Sequence, residues 1–390
     1  MKAAIFGGSF NPPHLGHVHA ALAAKRFLNA DRLLVIPANL PPHKSEAPDS
    51  PSAEDRLRLT QLAFRDAPEA EILDIELCRG GKSYTVDTLE ELHSRYPDTE
   101  LVLLMGTDML LCFDTVWYGA QRILELASLG VFPRKAGQDD EIRQKCESLS
   151  LKYGARIEVV DFVPTEISST ELRKLLQDRR GREYLPEPVY ADIIKNRFYG
   201  AQPELDWLRE QVTPYIDEAR RPHVWGCERE ARRLAERWGA DPELSAEAGI
   251  LHDITKRQKG AEQLKLCDMY GIITDSDEKE NYKLLHSKTG AALSRELFGI
   301  NDEVYNAICR HTTANENMSL LEKIIYIADY IEPTRDFEGV DELRRLAYTD
   351  LDDAIILGLE MSLEDLERHG AKPHKNSLSA LAQLRREKNK

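Results

Sequence analysis

Short apolar runs typical of buried strands occur only in the first half of the sequence, where they alternate with segments of helical periodicity. The predicted strands are residues 2–6, 32–36, 101–105, 129–132 and 156–160. The predicted helices between them are residues 18–28, 53–64, 85–96 and 138–153. Strands that are joined through helices pair in parallel, and helices cover both faces of their sheet. This half therefore predicts an α/β domain built on a parallel sheet.

Strand signals end near residue 202, and the remaining sequence is a succession of amphipathic helices. These predicted helices are residues 222–238, 242–254, 286–298, 302–311, 319–331 and 351–369. The boundary is predicted at Tyr199-Gly200-Ala201-Gln202-Pro203, where a glycine ends one helix and a proline begins the next segment. At roughly 150 residues per domain, a chain of 390 residues suits two domains. We predict an α/β domain in residues 1–199 and an all-α domain in residues 203–390.

The charge balance excludes one class of partner. The chain has 52 Lys and Arg against 67 Asp and Glu, a net charge of −15, whereas binding a nucleic-acid backbone needs clustered cations. Apolar runs such as residues 101–105 are far shorter than the ~20 residues of a membrane helix, and no secretory apolar region precedes Gly7. The six cysteines form no CxxC pair. We expect a cytoplasmic protein with reduced thiols and with no nucleic acid or membrane among its partners; a homo-oligomer stays open.

The first predicted strand leads directly into a glycine-rich turn that two histidines follow. The turn is Gly7-Gly8-Ser9-Phe10, and His14 and His17 stand at the start of the next helix. Glycine lets the backbone approach a ligand closely, and a helix N-terminus offers free N–H groups to an anion. The pattern suits stabilisation of a phosphoryl group as charge builds up on it. Taken alone, it equally fits a glycine turn with a capping histidine.

Two further motifs bring cations and a second helix start to this domain. The loop Pro41-Pro42-His43-Lys44 follows the second predicted strand and delivers a lysine to the carboxyl edge of the sheet, where α/β sheets bind ligands. Ile167-Ser168-Ser169 begins a helix with capping-box spacing, and Arg173 lies one turn inside that helix. Taken alone, this motif equally fits ordinary helix capping. Two helix N-termini with Lys44 and Arg173 together predict an anion site large enough for a triphosphate.

In order and spacing, these three motifs resemble bacterial nicotinate-nucleotide adenylyltransferases over about residues 1–197. The resemblance implies a Rossmann-like nucleotidyltransferase domain that transfers AMP from ATP to nicotinate mononucleotide and releases pyrophosphate, with Mg²⁺ bridging the phosphates. It implies catalytic roles for His14 and His17 in stabilising the transition state, and for Lys44 and Arg173 on the phosphates. It further implies ATP-binding residues, which are Gly7, Gly8, Ser9, Phe10, Gly106, Asp108, Ile167, Ser168, Ser169 and Arg173.

The resemblance also implies a pocket for the mononucleotide. Thr85, Trp117 and Tyr118 would receive its pyridine ring and carboxylate, and Lys44 would lie beside its phosphate. Trp117 also fits the alternative of an aromatic residue of the core. Backbone amides decide between nicotinate and nicotinamide, so the residue types leave that choice open.

The helical half carries four histidines and two aspartates on helix faces that neighbouring apolar residues mark as buried. They are His223, His252, Asp253, His286, His311 and Asp329. One such histidine is usually a satisfied core residue, but a buried carboxylate without a partner costs several kcal/mol. Six such groups exceed the ligand set of one tetrahedral ion. We therefore predict two adjacent metal ions that share a carboxylate.

This pattern resembles the HD superfamily of metal-dependent phosphohydrolases over about residues 203–385. Leu-His-Asp-Ile-Thr-Lys at residues 251–256 and Ile-Ala-Asp-Tyr-Ile-Glu-Pro at residues 327–333 are similar to bacterial symmetrical diadenosine tetraphosphate hydrolases. The resemblance implies a dinuclear iron centre, with manganese or cobalt as alternatives, that yields two ADP. Asp253 would bridge the metals, and Lys256 and Arg335 would contact the phosphates. Arg335, which follows Ile-Glu-Pro-Thr, also fits a surface arginine.

The whole sequence thus predicts a bifunctional enzyme, and alternatives for its second half stay open. One alternative is a hydrolase of another nucleotide, such as a deoxynucleoside triphosphate or an alarmone. A second is a regulatory module that senses a nucleotide, although a sensor could dispense with the six ligands. The net charge and the inward-facing histidines disfavour a nucleic-acid-binding module. No Gly-Tyr-Pro motif accompanies the histidines, which disfavours a cyclic dinucleotide phosphodiesterase.

Overall fold

The computed structural model describes residues 1–41 and 50–389. The chain divides into two compact units, Met1–Gln202 and Pro203–Lys390. The predicted contact Lys44 lies outside the described residues.

The N-terminal unit is built on a six-stranded parallel sheet in the order β3-β2-β1-β4-β5-β6. The strands are β1 (Lys2–Gly8), β2 (Arg32–Pro37), β3 (Ala70–Ile72), β4 (Glu100–Gly106), β5 (Ala127–Phe132) and β6 (Ile157–Val159). In register, Ala3 of β1 lies opposite Arg32 of β2 and Leu101 of β4. Residues 3–6 of β1 and 101–106 of β4 are buried, as expected where helices cover both faces of a parallel sheet.

Ten α-helices accompany the described part of this sheet. They are α1 (Leu15–Phe27), α2 (Ala53–Ala63), α3 (Ile75–Arg79), α4 (Thr85–Arg95), α5 (Thr107–Leu111), α6 (Phe113–Val116), α7 (Ala120–Leu126), α8 (Asp139–Tyr153), α9 (Ser169–Gln177) and α10 (Glu187–Asn196). Helix α1 buries small residues, among them Gly16, Ala20 and Ala24, so its axis lies close to the sheet. The predicted parallel α/β architecture is confirmed. The edge strand β3 was not predicted, because it has three residues and none of them is fully buried.

The C-terminal unit is all helical in its described residues. Its helices are α11 (Leu205–Val212), α12 (Arg221–Trp238), α13 (Pro242–Leu251), α14 (Gly260–Tyr270), α15 (Ser276–Glu280), α16 (Leu285–Phe298), α17 (Asp302–Arg310), α18 (Leu320–Ile331), α19 (Val340–Thr349), α20 (Leu351–Arg368) and α21 (Lys375–Lys388). Helix α13 is central: every residue from Ser245 to Leu251 is buried. It packs against α12, α17 and α18, and this packing brings the predicted metal ligands together. The predicted all-α fold is confirmed.

Two general expectations concern the whole chain. Within the described residues, no helix is both long and apolar enough to cross a membrane. All six cysteines are free thiols.

Candidate active sites

The first site lies where the strand order of the sheet reverses. From β1, the chain continues outward to β2 and β3 on one side, whereas β4, β5 and β6 extend on the other. In an open α/β sheet, the crevice at the carboxyl ends of the strands flanking such a reversal is where ligands bind. Here those carboxyl ends are Gly8 of β1 and Gly106 of β4. The predicted glycine turn and Gly106 thus face one crevice.

His14 and His17 stack beside this crevice at the N-terminus of α1. Their ring centroids lie 3.7 Å apart. The backbone N–H of His14 donates to Nδ1 of His17 over 3.2 Å, so the neutral His17 ring carries its proton on Nε2 and can donate it. His17 is half-buried, whereas its place at a helix start predicted exposure.

His14 is buried, with 1% of its surface exposed. Burial, assisted by the Arg134 guanidinium, lowers the pKa of His14 from 6.5 to about 3. Neither ring nitrogen has a hydrogen-bond partner in the described part of the chain. His14 is therefore a neutral imidazole at physiological pH, with two buried polar atoms that the described residues leave without a partner.

The start of α9 is joined to the glycine-rich loop by hydrogen bonds. Ser168 caps the helix by accepting from the Glu171 backbone N–H over 3.1 Å. The Ser169 hydroxyl donates to the Pro12 carbonyl over 3.1 Å, and the Arg173 guanidinium donates to the Asn11 carbonyl over 2.7 Å. The two helix N-termini predicted to converge on one anion site therefore lie side by side. Ile167, which precedes the cap, is buried.

A buried arginine that sequence reasoning missed supports the same loops. The Arg56 guanidinium donates to the carbonyls of Ser9 over 3.0 Å, Ala38 over 2.6 Å and Asn39 over 2.6 Å. It ties the glycine-rich turn to the loop that follows β2. The signal was present in the sequence, since Arg56 shares the inward face of α2 with Leu59 and Thr60.

Gly106 and Asp108 lie at the end of β4 with a second cation that was not predicted. The Arg134 Nε donates to the Asp108 carboxylate over 3.3 Å. A Cβ atom at Gly106 would lie 2.5 Å from Arg134 Nε, so only glycine fits there without a shift of this side chain. Asp108 is exposed, and its carboxylate faces solvent at the mouth of the crevice.

The three residues predicted to hold the pyridine ring lie close together. Thr85 is the first residue of α4, and the Tyr118 ring packs against Tyr84 with centroids 5.1 Å apart. Trp117 is half-buried and packs against Phe113 with centroids 5.3 Å apart. Tyr118 is 66% exposed. Trp117 thus contributes to the core under β4 and keeps part of its ring at the surface.

The second site is a cluster of buried imidazoles around Asp253 in the C-terminal unit. His223 lies in α12, His252 and His311 immediately follow α13 and α17, and His286 lies in α16. Their Nε2 atoms all point at the Asp253 carboxylate. Oδ2 lies 3.5 Å from His223 and 3.4 Å from His252, whereas Oδ1 lies 3.3 Å from His286 and 3.7 Å from His311. Each carboxylate oxygen faces its own pair of imidazoles.

The backbone fixes which nitrogen of three rings carries the proton. Nδ1 of His252 lies 2.7 Å from the Gly249 carbonyl. His286 and His311 contact the carbonyls three residues before them in the same way, over 2.5 Å and 2.7 Å. Only a protonated Nδ1 can donate to a carbonyl, so the Nε2 lone pairs face the centre. Histidines that bind metals in proteins have this arrangement.

Burial and neighbouring charges act on two groups of this cluster, Asp253 and His286. Burial opposes ionisation of Asp253, but the Arg220 Nε donates to its Oδ2 and stabilises the charged carboxylate. Burial lowers the pKa of His286 to about 4. Asp253 Oδ1 has no hydrogen-bond partner within the described residues. A buried carboxylate oxygen that imidazole Nε2 lone pairs also face is an electron-rich site that fits a cation.

Asp329 completes the cluster from α18. Its Oδ1 lies 3.3 Å from Nε2 of His223. Donor atoms of His223, Cys227, His252 and Asp329 form one group within 4.8 Å of one another, and those of His252, Asp253 and His311 form a second. The two groups share His252, so the described donors suit a pair of adjacent ions better than one ion.

Three cationic side chains flank the cluster and remain partly exposed. The Arg220 Nε donates to Asp253 Oδ2 over 2.5 Å. Lys256 Nζ lies 3.0 Å from His286 Nε2, and the Arg335 guanidinium donates to Asp329 Oδ1 over 2.5 Å. Lys256 and Arg335 were predicted as phosphate contacts, and the structure places both beside metal-ligand candidates. Arg220 was not predicted, because its only signal is its position three residues before His223.

Comparison with known proteins identifies the N-terminal half. The cytidylyltransferase-like family matches residues 5–175. "Probable nicotinate-nucleotide adenylyltransferase" from Caldicellulosiruptor saccharolyticus is 34% identical over 195 residues, which are 50% of this chain and 96% of that protein. The chain belongs to the nicotinate-nucleotide adenylyltransferase family. The family resemblance expected from the glycine turn, the proline loop and the α9 start is confirmed.

The C-terminal half of this adenylyltransferase-family chain is an HD domain. The HD family matches residues 220–334, a range that contains all six predicted metal ligands. "Probable nicotinate-nucleotide adenylyltransferase/Ap4A hydrolase" from Mycoplasma genitalium is 28% identical over 370 residues, 92% of this chain and 97% of that protein. A solved structure from Clostridium acetobutylicum, described as a predicted HD superfamily hydrolase involved in NAD metabolism, shares 38% identity, with a TM-score of 0.45. It covers 46% of this chain and 95% of that one. The chain thus joins a nucleotidyltransferase to an HD phosphohydrolase.

Proposed function

We propose that the N-terminal half transfers AMP from ATP to nicotinate mononucleotide, yielding deamido-NAD and pyrophosphate. The observation that carries this proposal is a pair of hydrogen bonds that hold the start of α9 beside the start of α1. The acceptors are the carbonyls of Asn11 and Pro12, just before α1. Two helix N-termini side by side at the strand-order reversal form an anion site suited to a triphosphate. Family membership supports the choice of acceptor.

In this reaction the chain positions groups and supplies hydrogen bonds. The mononucleotide phosphate attacks the α-phosphorus of ATP in line, and pyrophosphate leaves. His17 Nε2–H and the neutral His14 ring donate to the phosphoryl oxygens as charge builds up on them. Ser168, Ser169 and Arg173 hold the β- and γ-phosphates, and Lys44 contacts the reacting phosphates. Mg²⁺ that enters with ATP offsets the charge of the triphosphate.

The remaining residues of the first site bind the two nucleosides. ATP would lie close to the protein backbone at the end of β1, along Gly7, Gly8, Ser9 and Phe10. Its ribose would contact Gly106 and Asp108. Thr85, Trp117 and Tyr118 receive the pyridine ring, which can stack on the exposed part of either aromatic ring.

We propose that the HD half holds two metal ions and hydrolyses diadenosine tetraphosphate symmetrically to two ADP. The carrying observation is that the two oxygens of Asp253 face separate imidazole pairs, as a bridging carboxylate requires. His223, His252 and Asp329 would hold one ion, and His286 and His311 the other. Imidazole with carboxylate suits iron, manganese or cobalt. Bound there, the metal pair would polarise the phosphates and activate water for attack.

The cationic side chains beside the cluster account for a polyphosphate substrate. Lys256, Arg335 and Arg220 lie on three different segments and each is about one-third exposed. These side chains can turn from the metal ligands to the phosphates of a bound polyphosphate, whose negative charge they complement. Water that attacks an inner phosphorus and breaks its bond to the central bridging oxygen releases ADP and leaves a second ADP, so a symmetrically seated tetraphosphate gives ADP alone.

One panel of assays tests both halves. Purified protein is incubated with ATP and either nicotinate or nicotinamide mononucleotide, and separately with Fe²⁺ or Mn²⁺ and several nucleotides. The nucleotides are dinucleoside polyphosphates, deoxynucleoside triphosphates and alarmones. We expect deamido-NAD from the first reaction and ADP from diadenosine tetraphosphate in the second. Preferential cleavage of another nucleotide would replace the proposed hydrolase substrate, and metal binding without turnover would favour a sensing role.

A further inference from the structure

Glu332 is a buried carboxylate beside the imidazole cluster around Asp253. Neither the resemblance nor the proposed function gives Glu332 a role. It directly follows α18, and its exposed fraction is 0%. Oε1 lies 3.0 Å from Nδ1 of His223 and accepts the Thr334 hydroxyl over 2.5 Å. Oε2 accepts the Thr334 backbone N–H over 2.7 Å. A buried carboxylate costs free energy unless its contacts compensate, and here His223 and Thr334 supply three of them.

His223 differs from the other three histidines in its Nδ1 partner. His252, His286 and His311 each donate Nδ1–H to a neutral backbone carbonyl. His223 instead faces a carboxylate, which is a stronger acceptor because it carries a full negative charge. A charged acceptor at Nδ1 raises the electron density at Nε2, the nitrogen that faces Asp329 and Asp253. His223 is therefore the most strongly polarised of the four rings.

The space around Glu332 is also specific. Gly226 lies in α12 one turn after His223, and a Cβ atom at that position would lie 2.3 Å from Glu332 Oε2. The helix can approach the carboxylate this closely only because residue 226 is glycine. Glutamine at position 332 would keep the shape but not the contacts, since its NH₂ would face either the Thr334 N–H or the His223 Nδ1–H.

We propose that Glu332 is a positioning residue: its carboxylate holds His223 in the Nδ1–H tautomer and strengthens metal binding by the group His223, His252 and Asp329. This inference rests on the proposed metal site. It assigns Glu332 to one half of that site, because the described partners of His286 and His311 lie elsewhere. Loss of the carboxylate should weaken one ion more than the other.

The test compares Glu332→Gln with Glu228→Gln in the full chain. Glu228 is a matched control, since this carboxylate in α12 is also buried. It accepts hydrogen bonds from Arg209, and its described contacts include no histidine. Metal content after dialysis and Mn²⁺ titration measure binding, and ¹⁵N NMR of the metal-free protein reports the histidine tautomers. Circular dichroism checks folding. For Glu332→Gln we expect the metal affinity to be about 10–100-fold weaker at one of two sites and the His223 tautomer signal to change. For Glu228→Gln we expect wild-type metal binding.

The outcomes separate this proposal from the one on which it rests. Glu332→Gln with wild-type metal affinity and an unchanged tautomer overturns the role of Glu332 alone. A wild-type chain that binds no divalent metal overturns both the metal site and this role. Metal binding without tetraphosphate hydrolysis leaves Glu332 in place and removes only the substrate. If Glu332→Gln does not fold, Thr334→Val, which removes one hydrogen bond to Glu332, should weaken the same ion; unchanged binding in that variant overturns the proposal.

Discussion

Replacing Asp253 by asparagine should remove the metal pair while leaving the fold of the HD domain in place. The side chain keeps its volume, which matters because residue 253 is 1% exposed. Asparagine retains one oxygen and puts an amide NH₂ in place of the other, so one imidazole pair loses its carboxylate partner. The charge of the two ligand carboxylates falls from −2 to −1, against about +4 for two divalent ions.

The expected loss of activity follows from the contribution of bound metal. A catalytic ion contributes several kcal/mol to transition-state stabilisation, and each ~1.4 kcal/mol is tenfold in rate. We therefore expect Asp253→Asn to lower kcat for tetraphosphate hydrolysis by about 10³-fold or more, and metal content to fall below one ion per chain. Adenylyl transfer by the same sample should stay at the wild-type rate, because its residues belong to the other unit.

Three measurements on one preparation check this prediction: metal content, ADP release and pyrophosphate release. Asp268→Asn is the matched control, since Asp268 is exposed on α14 and should keep all three at wild-type values. An Asp253→Asn enzyme that retains two ions, or more than one-tenth of the wild-type hydrolysis rate, would refute the bridging role of Asp253.

Three more predictions concern catalysis, pH and metal. His17→Ala should slow adenylyl transfer by about 10²–10³-fold with an unchanged circular dichroism spectrum; wild-type turnover would remove His17 from the site. Because the pKa of His14 is lowered to about 3, the unfolded chain binds a proton below about pH 6.5 that the folded chain excludes, so stability falls between pH 6.5 and 3. His14→Gln should reduce this loss by up to about 1.4 kcal/mol per pH unit, measured by urea unfolding, and an unchanged slope contradicts a neutral His14. Removing the metal with a chelator should lower the melting temperature of the HD domain by about 5–10 °C, because metal at about 100 times its Kd stabilises the folded state by ~2.7 kcal/mol. An unchanged melting temperature contradicts the metal site.

The fold was largely predictable because its core elements are long and strongly patterned. The apolar runs of β1, β2, β4 and β5 and the periodicity of α12 each determine one kind of element. Element ends were predicted less well: the histidine-bearing end of α1 begins at Leu15, three residues before the predicted start, because His14 takes the N-cap position. The strand β3 lies at the sheet edge and has no apolar run to mark it.

The candidate sites were predictable where chemistry and spacing coincide, as in the six predicted metal ligands, which the structure brings together. Residues whose role depends on tertiary contacts were missed. Glu332 contacts His223 across 109 positions of sequence, and Arg134 meets Asp108 only because β4 and β5 pair. Neither contact has a local pattern. Arg56 is the exception, because a charged residue on the apolar face of a predicted helix could have been noticed.

The most direct test of the function proposed for the HD half is product analysis of diadenosine tetraphosphate cleavage by the metal-loaded chain in H₂¹⁸O. Ion-exchange chromatography separates the products, and mass spectrometry locates the label. We predict two ADP per substrate, one of them carrying a single ¹⁸O, because water attacks an inner phosphorus of a symmetrically held tetraphosphate. AMP with ATP as products, or no cleavage by a chain that holds its metal, would contradict the proposed function of the HD half.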